Sequence, residues 1–138
     1  MKVLTSDWNS SKDQISFVRK QVFILEQGID PKEEWDDQDE DAVHFVSFGT
    51  TAVPTGTCRL TDDGRISRLA VLQAYRHQGY GEMLLARAIK VAREMGIRQV
   101  FLHAQVDVQP FYDKQNFTTD GKVFLEAGKM HIRMERDI

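Results

Sequence analysis

Arg76, Gly79 and Gly81 lie in the run Arg76-His77-Gln78-Gly79-Tyr80-Gly81, between an apolar stretch, Ile66-Ser67-Arg68-Leu69-Ala70-Val71, and a segment of helical period, Glu82 to Met95. A strand that ends in a glycine-spaced turn and opens a helix leaves several backbone N–H groups free at the positive end of the helix dipole. Such a turn can cradle an anion. The glycines let a phosphate approach the backbone closely, and the arginine adds a fixed positive charge. The shape suits a pyrophosphate. Taken alone, the same residues also fit an ordinary strand-to-helix turn with glycines for packing.

Two other phosphate loops do not match. A Rossmann fingerprint needs a third small residue where this chain has Leu84, and a P-loop needs Lys and Ser or Thr where Glu82 and Met83 follow Gly81. The pattern R-x-x-G-x-G instead resembles the acetyl-CoA pyrophosphate loop of the GNAT N-acetyltransferases. Downstream of a second apolar run, Val100 to Ala104, the segment Gln109-Pro110-Phe111-Tyr112-Asp113-Lys114-Gln115-Asn116-Phe117 is similar to the GNAT segment F-Y-x-K-x-G-F. The resemblance implies that residues Arg76, His77, Gln78, Gly79, Tyr80 and Gly81, with Lys114, meet CoA, and that Tyr112 protonates the departing CoA thiolate. A phenol holds its proton at neutral pH and can hand it to sulfur. Asn116 stands where the family has glycine, and Asn tolerates the left-handed helix cap, so the turn is expected to survive. Without the first motif, Phe111 and Tyr112 would read as core aromatics.

The elements that must hold these residues are legible from periodicity. Ser10 or Ser11 is expected to cap a helix from about Lys12 to Leu25, with Ile15, Val18, Val22 and Leu25 on one face, ending near Gly28. Runs near 43–49, 53–61 and 65–71 read as an antiparallel meander, turned at Ala52-Val53-Pro54 and Asp62-Asp63-Gly64. The helix from Gly79 to about Met95 carries Leu84, Ala88, Val91 and Met95 along one stripe beside Leu85, Ile89 and Ala92, and Gly96 ends it. A strand at 99–105 is expected to run parallel to 65–71 through this crossover, which should be right-handed. A short helix and strands near 118–125 and 130–136 complete the order. The resemblance implies an α+β GNAT fold, a mixed central sheet of about six to seven strands flanked by about four helices.

A chain of 138 residues fits a single domain spanning 1–138 and can bury roughly two thirds of its unfolded surface. Cys58 is the only cysteine, so no intramolecular disulfide forms; it is read as a small buried strand residue rather than an acetyl-carrying nucleophile. Residues Met1 to Asp7 lack the apolar core of a signal peptide, and no run approaches the roughly 18 residues of a membrane span, so a cytoplasmic location without membrane contact is expected. Nucleic acid is not an attractive partner for a net acidic chain without a basic, aromatic-interleaved stripe. From Glu26 to Asp41 there are nine acids against one base, Lys32, a net −8, which leaves +5 on the rest of a chain of net −3. Two readings are open: a surface that draws an amine-bearing substrate, or a solvated acidic loop.

A narrower resemblance is spread along the chain. Val22 to Gln27, Glu34-Trp35-Asp36-Asp37-Gln38-Asp39, His44-Phe45, Ala104-Gln105 and Glu126 to Met134 are similar to the ElaA/YjcF-like branch of the GNAT proteins. Gln73 replaces a proline common in the family. The implied activity is transfer of acetyl from acetyl-CoA, the co-substrate, to a primary amine of a small molecule or peptide, with no metal. The pantetheine arm would pair with the backbone of Leu69, Ala70 and Val71 like an added strand. The amine must lose a proton to attack the thioester. Glu26, at the end of the first helix, is the first candidate base; His103 and the pair Glu126 and His131 follow. Phe23, Gln27, His103, Gln105 and His131 are expected to line the acceptor site. A non-catalytic acyl-CoA sensor is the alternative from another class, and either a monomer or a homodimer fits.

Overall fold

The computed structural model describes residues 1–138. Its strands are β1 (Lys2–Ser6), β2 (Val43–Phe48), β3 (Pro54–Leu60), β4 (Ile66–Val71), β5 (Gln99–Gln105), β6 (Thr118–Glu126) and β7 (Lys129–Asp137). Its helices are α1 (Trp8–Arg19), continued by a π-helical stretch over Lys20–Glu26, α2 (Pro31–Glu34), α3 (Tyr80–Glu94) and α4 (Gln109–Lys114). The order is that of an α+β fold, as expected, with one addition at the start. β1 pairs antiparallel with β2, and nothing in the weakly patterned Lys2–Ser6 announces a strand.

α1 begins earlier than expected because Asp7, not Ser10 or Ser11, caps it: the Asp7 carboxylate accepts from the Ser10 backbone N–H at 2.8 Å. Ile15, Val18 and Val22 are buried, but Leu25 is 61% exposed. The π-helix explains the difference. Each of its turns takes an extra residue, as the bond from Gln27 N–H to Val22 O shows, and the face set by Ile15 and Val18 rotates away before Leu25 is reached. Met95, at the cap of α3, is likewise exposed, whereas Leu84, Leu85, Ala88, Ile89 and Ala92 are buried.

The strands form two sheets, β1-β2-β3-β4 and β5-β7-β6. α3 packs on one face of the first sheet through Leu84, Leu85 and Ala88 against Phe45, Cys58 and Leu60, and α1 covers the other through Ile15 against Val46 and Phe48. With both faces covered, β2 and β3 are buried along nearly their whole length instead of alternating. The expected parallel pairing of β4 with β5 shrinks to one bridge, Arg65 to Phe101, supported by the bond from Phe101 N–H to Gly64 O at 3.1 Å. Beyond it the two strands separate. β4 also carries a bulge opposite Cys58, where Arg68 takes a φ of 55°.

Candidate active site

The chain leaves β4 at Val71, makes a short turn over Gln73–Tyr75 and enters α3 through two left-handed residues, His77 (φ 63°) and Gly79 (φ 94°). Alternation of left-handed and ordinary backbone turns successive N–H groups toward one side, forming a nest. The backbone N–H groups of His77, Gln78, Gly79, Tyr80, Gly81 and Glu82 make no hydrogen bond within the protein, and no side chain caps α3. A Cβ on Gly79 would meet only Glu82 Oε2, at 3.6 Å, so the space before it is open, while one on Gly81 would press on Phe111 at 3.4 Å. Tyr80 contributes only its amide, because its ring is buried edge-on to Tyr75.

Arg76 departs from expectation. Its guanidinium does not stand free for a phosphate: Nε donates to Val71 O at 2.9 Å, Nη1 to Glu26 Oε2 at 2.6 Å and Nη2 to Glu26 Oε1 at 2.7 Å. It ties the end of β4 to the end of the π-helix. This pair also bears on Glu26 as a candidate base. Hydrogen bonds from Arg76 hold the Glu26 carboxyl below its ordinary range, and Glu26 is not among the residues that line the cavity described next. A proton acceptor with both oxygens committed to a guanidinium is a weak one.

Where β4 and β5 part, a cavity of about 510 Å³ opens between them. Phe23, Gln27, His103, Gln105, Tyr112 and His131 line it, together with Leu69, Arg65, Arg68 and Glu126. Of the residues expected to line the acceptor site, all are brought together here. Gln105 Nε2 donates to Gln27 Oε1 at 2.8 Å, tying β5 to the end of the π-helix. His103 Nδ1 lies 2.9 Å from Glu126 Oε2, and Arg65 Nη2 approaches both the ring nitrogen, at 3.1 Å, and Glu126 Oε1, at 3.5 Å. The carboxylate can only accept and the guanidinium can only donate, so Nδ1 serves one of them, and the shorter contact, to Glu126, favours a proton on Nδ1. The bond from His103 holds the Glu126 carboxyl below its usual value. His131 donates from Nδ1 to Lys129 O at 2.8 Å and stacks on Phe124.

α4 ends in a Schellman turn: Phe117 N–H reaches Tyr112 O at 3.1 Å and Asn116 N–H reaches Asp113 O at 3.2 Å, with Asn116 at φ 66°, as its side chain allows. Tyr112 is thereby fixed between Phe111 and Phe117, and burial pushes its phenol pKa well up, with the Cys58 sulfur adding to the shift. Cys58 is a buried core residue whose thiol burial raises to about 12, which suits packing and not nucleophilic attack. Lys114, on the same short helix, is exposed and outside the cavity.

The acidic segment fits neither earlier reading as a whole. Glu34 and Asp39 are buried and Asp36 is half-buried, and three arginines hold them. Arg19 donates to Glu34 and Asp39, each at 2.7 Å, with its guanidinium between the rings of Trp8 and Trp35. Arg59 bonds Asp36 at 2.8 Å and Asp39 at 3.0 Å. Arg68 meets Glu34 and Asp36, each at 3.2 Å. The wall of the cavity is therefore built by charges that neutralise one another. The sequence held one sign of this, a lone charged residue, Arg68, inside an apolar strand; Arg65 at the strand's start gave none.

The GNAT acetyltransferase domain model matches residues 11–138. Bacillus subtilis YjcF, an uncharacterised N-acetyltransferase by name, is 33% identical over 124 residues, covering 88% of this chain and 89% of that protein. Among solved structures, an acyl-CoA N-acyltransferase from Pseudomonas aeruginosa superposes with a TM-score of 0.86 at 27% identity, covering 98% of each chain. Escherichia coli ElaA does so with a TM-score of 0.86 at 22% identity, covering 99% of each chain. Sequence, fold and the open turn agree, and the chain belongs to the GNAT acetyltransferase family, with YjcF among its relatives.

Proposed function

We propose that this protein is an acetyl-CoA-dependent N-acetyltransferase that moves acetyl to a primary amine by direct attack on the thioester. The observation that carries this is the row of backbone N–H groups from His77 to Glu82, left without acceptors at the head of α3 and one turn beyond the strand that lines the cavity. A pyrophosphate supplies the missing acceptors. β4 has a free edge after the Arg65 bridge, so Leu69, Ala70 and Val71 offer backbone groups to the amides of a pantetheine arm. Lys114 remains available for the nucleotide end, since it has no ion-pair partner of its own.

His103 Nε2 takes the proton of the attacking amine, and Glu126 orients the imidazole and stabilises the imidazolium that results. Attack forms the amide C–N bond; the thioester C–S bond breaks, and Tyr112 gives its proton to the leaving sulfur. Burial suits Tyr112 to this step, because it stays protonated until a strongly basic thiolate appears beside it. Phe23, Gln27, Gln105 and His131 wall the acceptor side. The test is CoA release from acetyl-CoA across polyamines, amino sugars, amino acids and peptides, with thermal unfolding measured with and without acetyl-CoA. Heat protection with release on at least one amine class is expected. Protection without release on any class would favour a sensor, and no protection would overturn the donor assignment.

A further inference from the structure

The cavity's carboxylates are already spoken for, and its guanidiniums only in part. Glu34 and Asp36 are paired with Arg19, Arg59 and Arg68, and Glu126 with His103 and Arg65, which leaves Glu33, exposed, as the one lining carboxylate without a cationic partner. Arg68 is held differently from Arg19. Its Nη2 donates to Glu33 O at 3.2 Å, Glu34 O at 3.1 Å and Asp36 Oδ2 at 3.2 Å, and its Nε lies sealed from solvent 3.2 Å from Glu34 Oε1 without the alignment of a hydrogen bond. Nη1 has no acceptor, and the side chain is still 17% exposed in a residue that lines the cavity. Arg65 likewise uses only Nη2.

The backbone says the same. Arg68 sits at φ 55° in the bulge of β4, a conformation that strains a residue with a Cβ and is retained where the side chain's position matters. A guanidinium fixed in orientation, with donors to spare in a partly dry pocket, is a site for a carboxylate or phosphate. Resting on the acetyl-transfer reading, we infer that the acceptor is an amine that also carries an anionic group, seated against Arg68 while its amine meets His103. A polyamine would find no free buried carboxylate here and two guanidiniums with donors still unused.

The experiment uses amines in matched sets on aliphatic and aromatic scaffolds, each as the carboxylate, the phosphate and the neutral amide. Both kcat/KM for CoA release and heat protection of the acetyl-CoA-loaded protein are measured. Anionic members are expected to exceed their amides at least tenfold; the carboxylate and phosphate arms tell which oxyanion fits. Arg68→Gln should bring the ratio close to one, and Arg68→Lys should restore part of it, whereas a merely structural role would lower the activity on all members alike. Neutral or cationic amines that match or exceed the anionic ones, or a ratio unchanged in Arg68→Gln, would overturn the inference. If Arg68→Gln does not fold, the wild-type ratio and Arg68→Lys decide. If no amine is acetylated, the transfer reading fails, and selective heat protection by the anionic members still decides the binding claim.

Discussion

The acidic segment and the glycine loop are both rich in polar groups, and they use them in opposite ways. Glu34, Asp36 and Asp39 spend their charge on Arg19, Arg59 and Arg68, so that a stretch of net −8 is locked into the wall of a cavity. The loop from His77 to Glu82 leaves its amides unmatched. Buried polar groups are almost always satisfied, so a closed network reads as architecture and an open row of donors reads as a place for a ligand. Changes in the closed region should therefore cost stability, with Arg68, whose Nη1 has no acceptor, the exception, and changes around the open one should cost function.

The largest effects are expected in the cavity. Tyr112→Phe keeps the ring and removes the proton, and should lower kcat roughly 10- to 10⁴-fold with acetyl-CoA affinity nearly unchanged. Full activity would mean that another group protonates the thiolate. His103→Asn should fall within a similar range, and Glu126→Gln, which takes the carboxylate from the imidazolium, should move the ascending limb of the pH–rate profile to lower pH. A limb that stays in place would remove Glu126 from the mechanism.

On the closed side, Arg19→Met leaves Glu34 and Asp39 short of a partner in a site where the arginine side chain is 1% exposed. Breaking a buried pair from one side costs about 3–5 kcal/mol, so urea unfolding should show a loss of that size. The KM for acetyl-CoA, measured below the lowered Tm, should hold. A large KM change at unaltered stability would mean that the division between the two regions is wrong.

The smallest effect sits on the Arg76–Glu26 pair, which is partly exposed on both sides and so is worth less than about 1 kcal/mol. The sign is fixed by Glu26, whose folded carboxyl titrates below its ordinary value because of Arg76. Its contribution is full above the unfolded carboxyl pKa of roughly 4.3 and is lost as pH falls through the lowered folded value. Glu26→Gln should flatten that part of the acid unfolding curve and leave the ascending limb of the pH–rate profile intact. If the limb disappears instead, Glu26 is the base after all. A double-mutant cycle with Arg76→Gln measures the coupling directly.

How much could be seen in the sequence follows the range of the forces involved. Strand positions, the α3 stripe, the Asn116 turn and the loop opening α3 depend on neighbours a few residues away, and their spacing shows them. β1 depends on a partner some forty residues on, β2, and its own pattern is too weak to announce it. Leu25 was expected inside because helical spacing assumes one kind of turn throughout, and the π-helix breaks that assumption. The fate of charge was the least legible. Whether Glu26 accepts protons or Arg76 meets a phosphate depends on a pair separated by 50 positions, and no local pattern records that they bind each other. The five residues expected around the acceptor converge because β5, its neighbour β7 and the end of the π-helix face one slot, and Arg65 and Arg68 join them from β4.

The central claim is that the open amides from His77 to Glu82 hold the donor. Isothermal titration of acetyl-CoA into wild type and Gly79→Val tests it most directly, because valine at φ 94° strains the nest and fills the space before it at a folding cost of about 1–3 kcal/mol. A folded variant that has lost at least tenfold in affinity is the expected result. Undiminished binding by Gly79→Val would contradict the account, because the donor would then be held elsewhere.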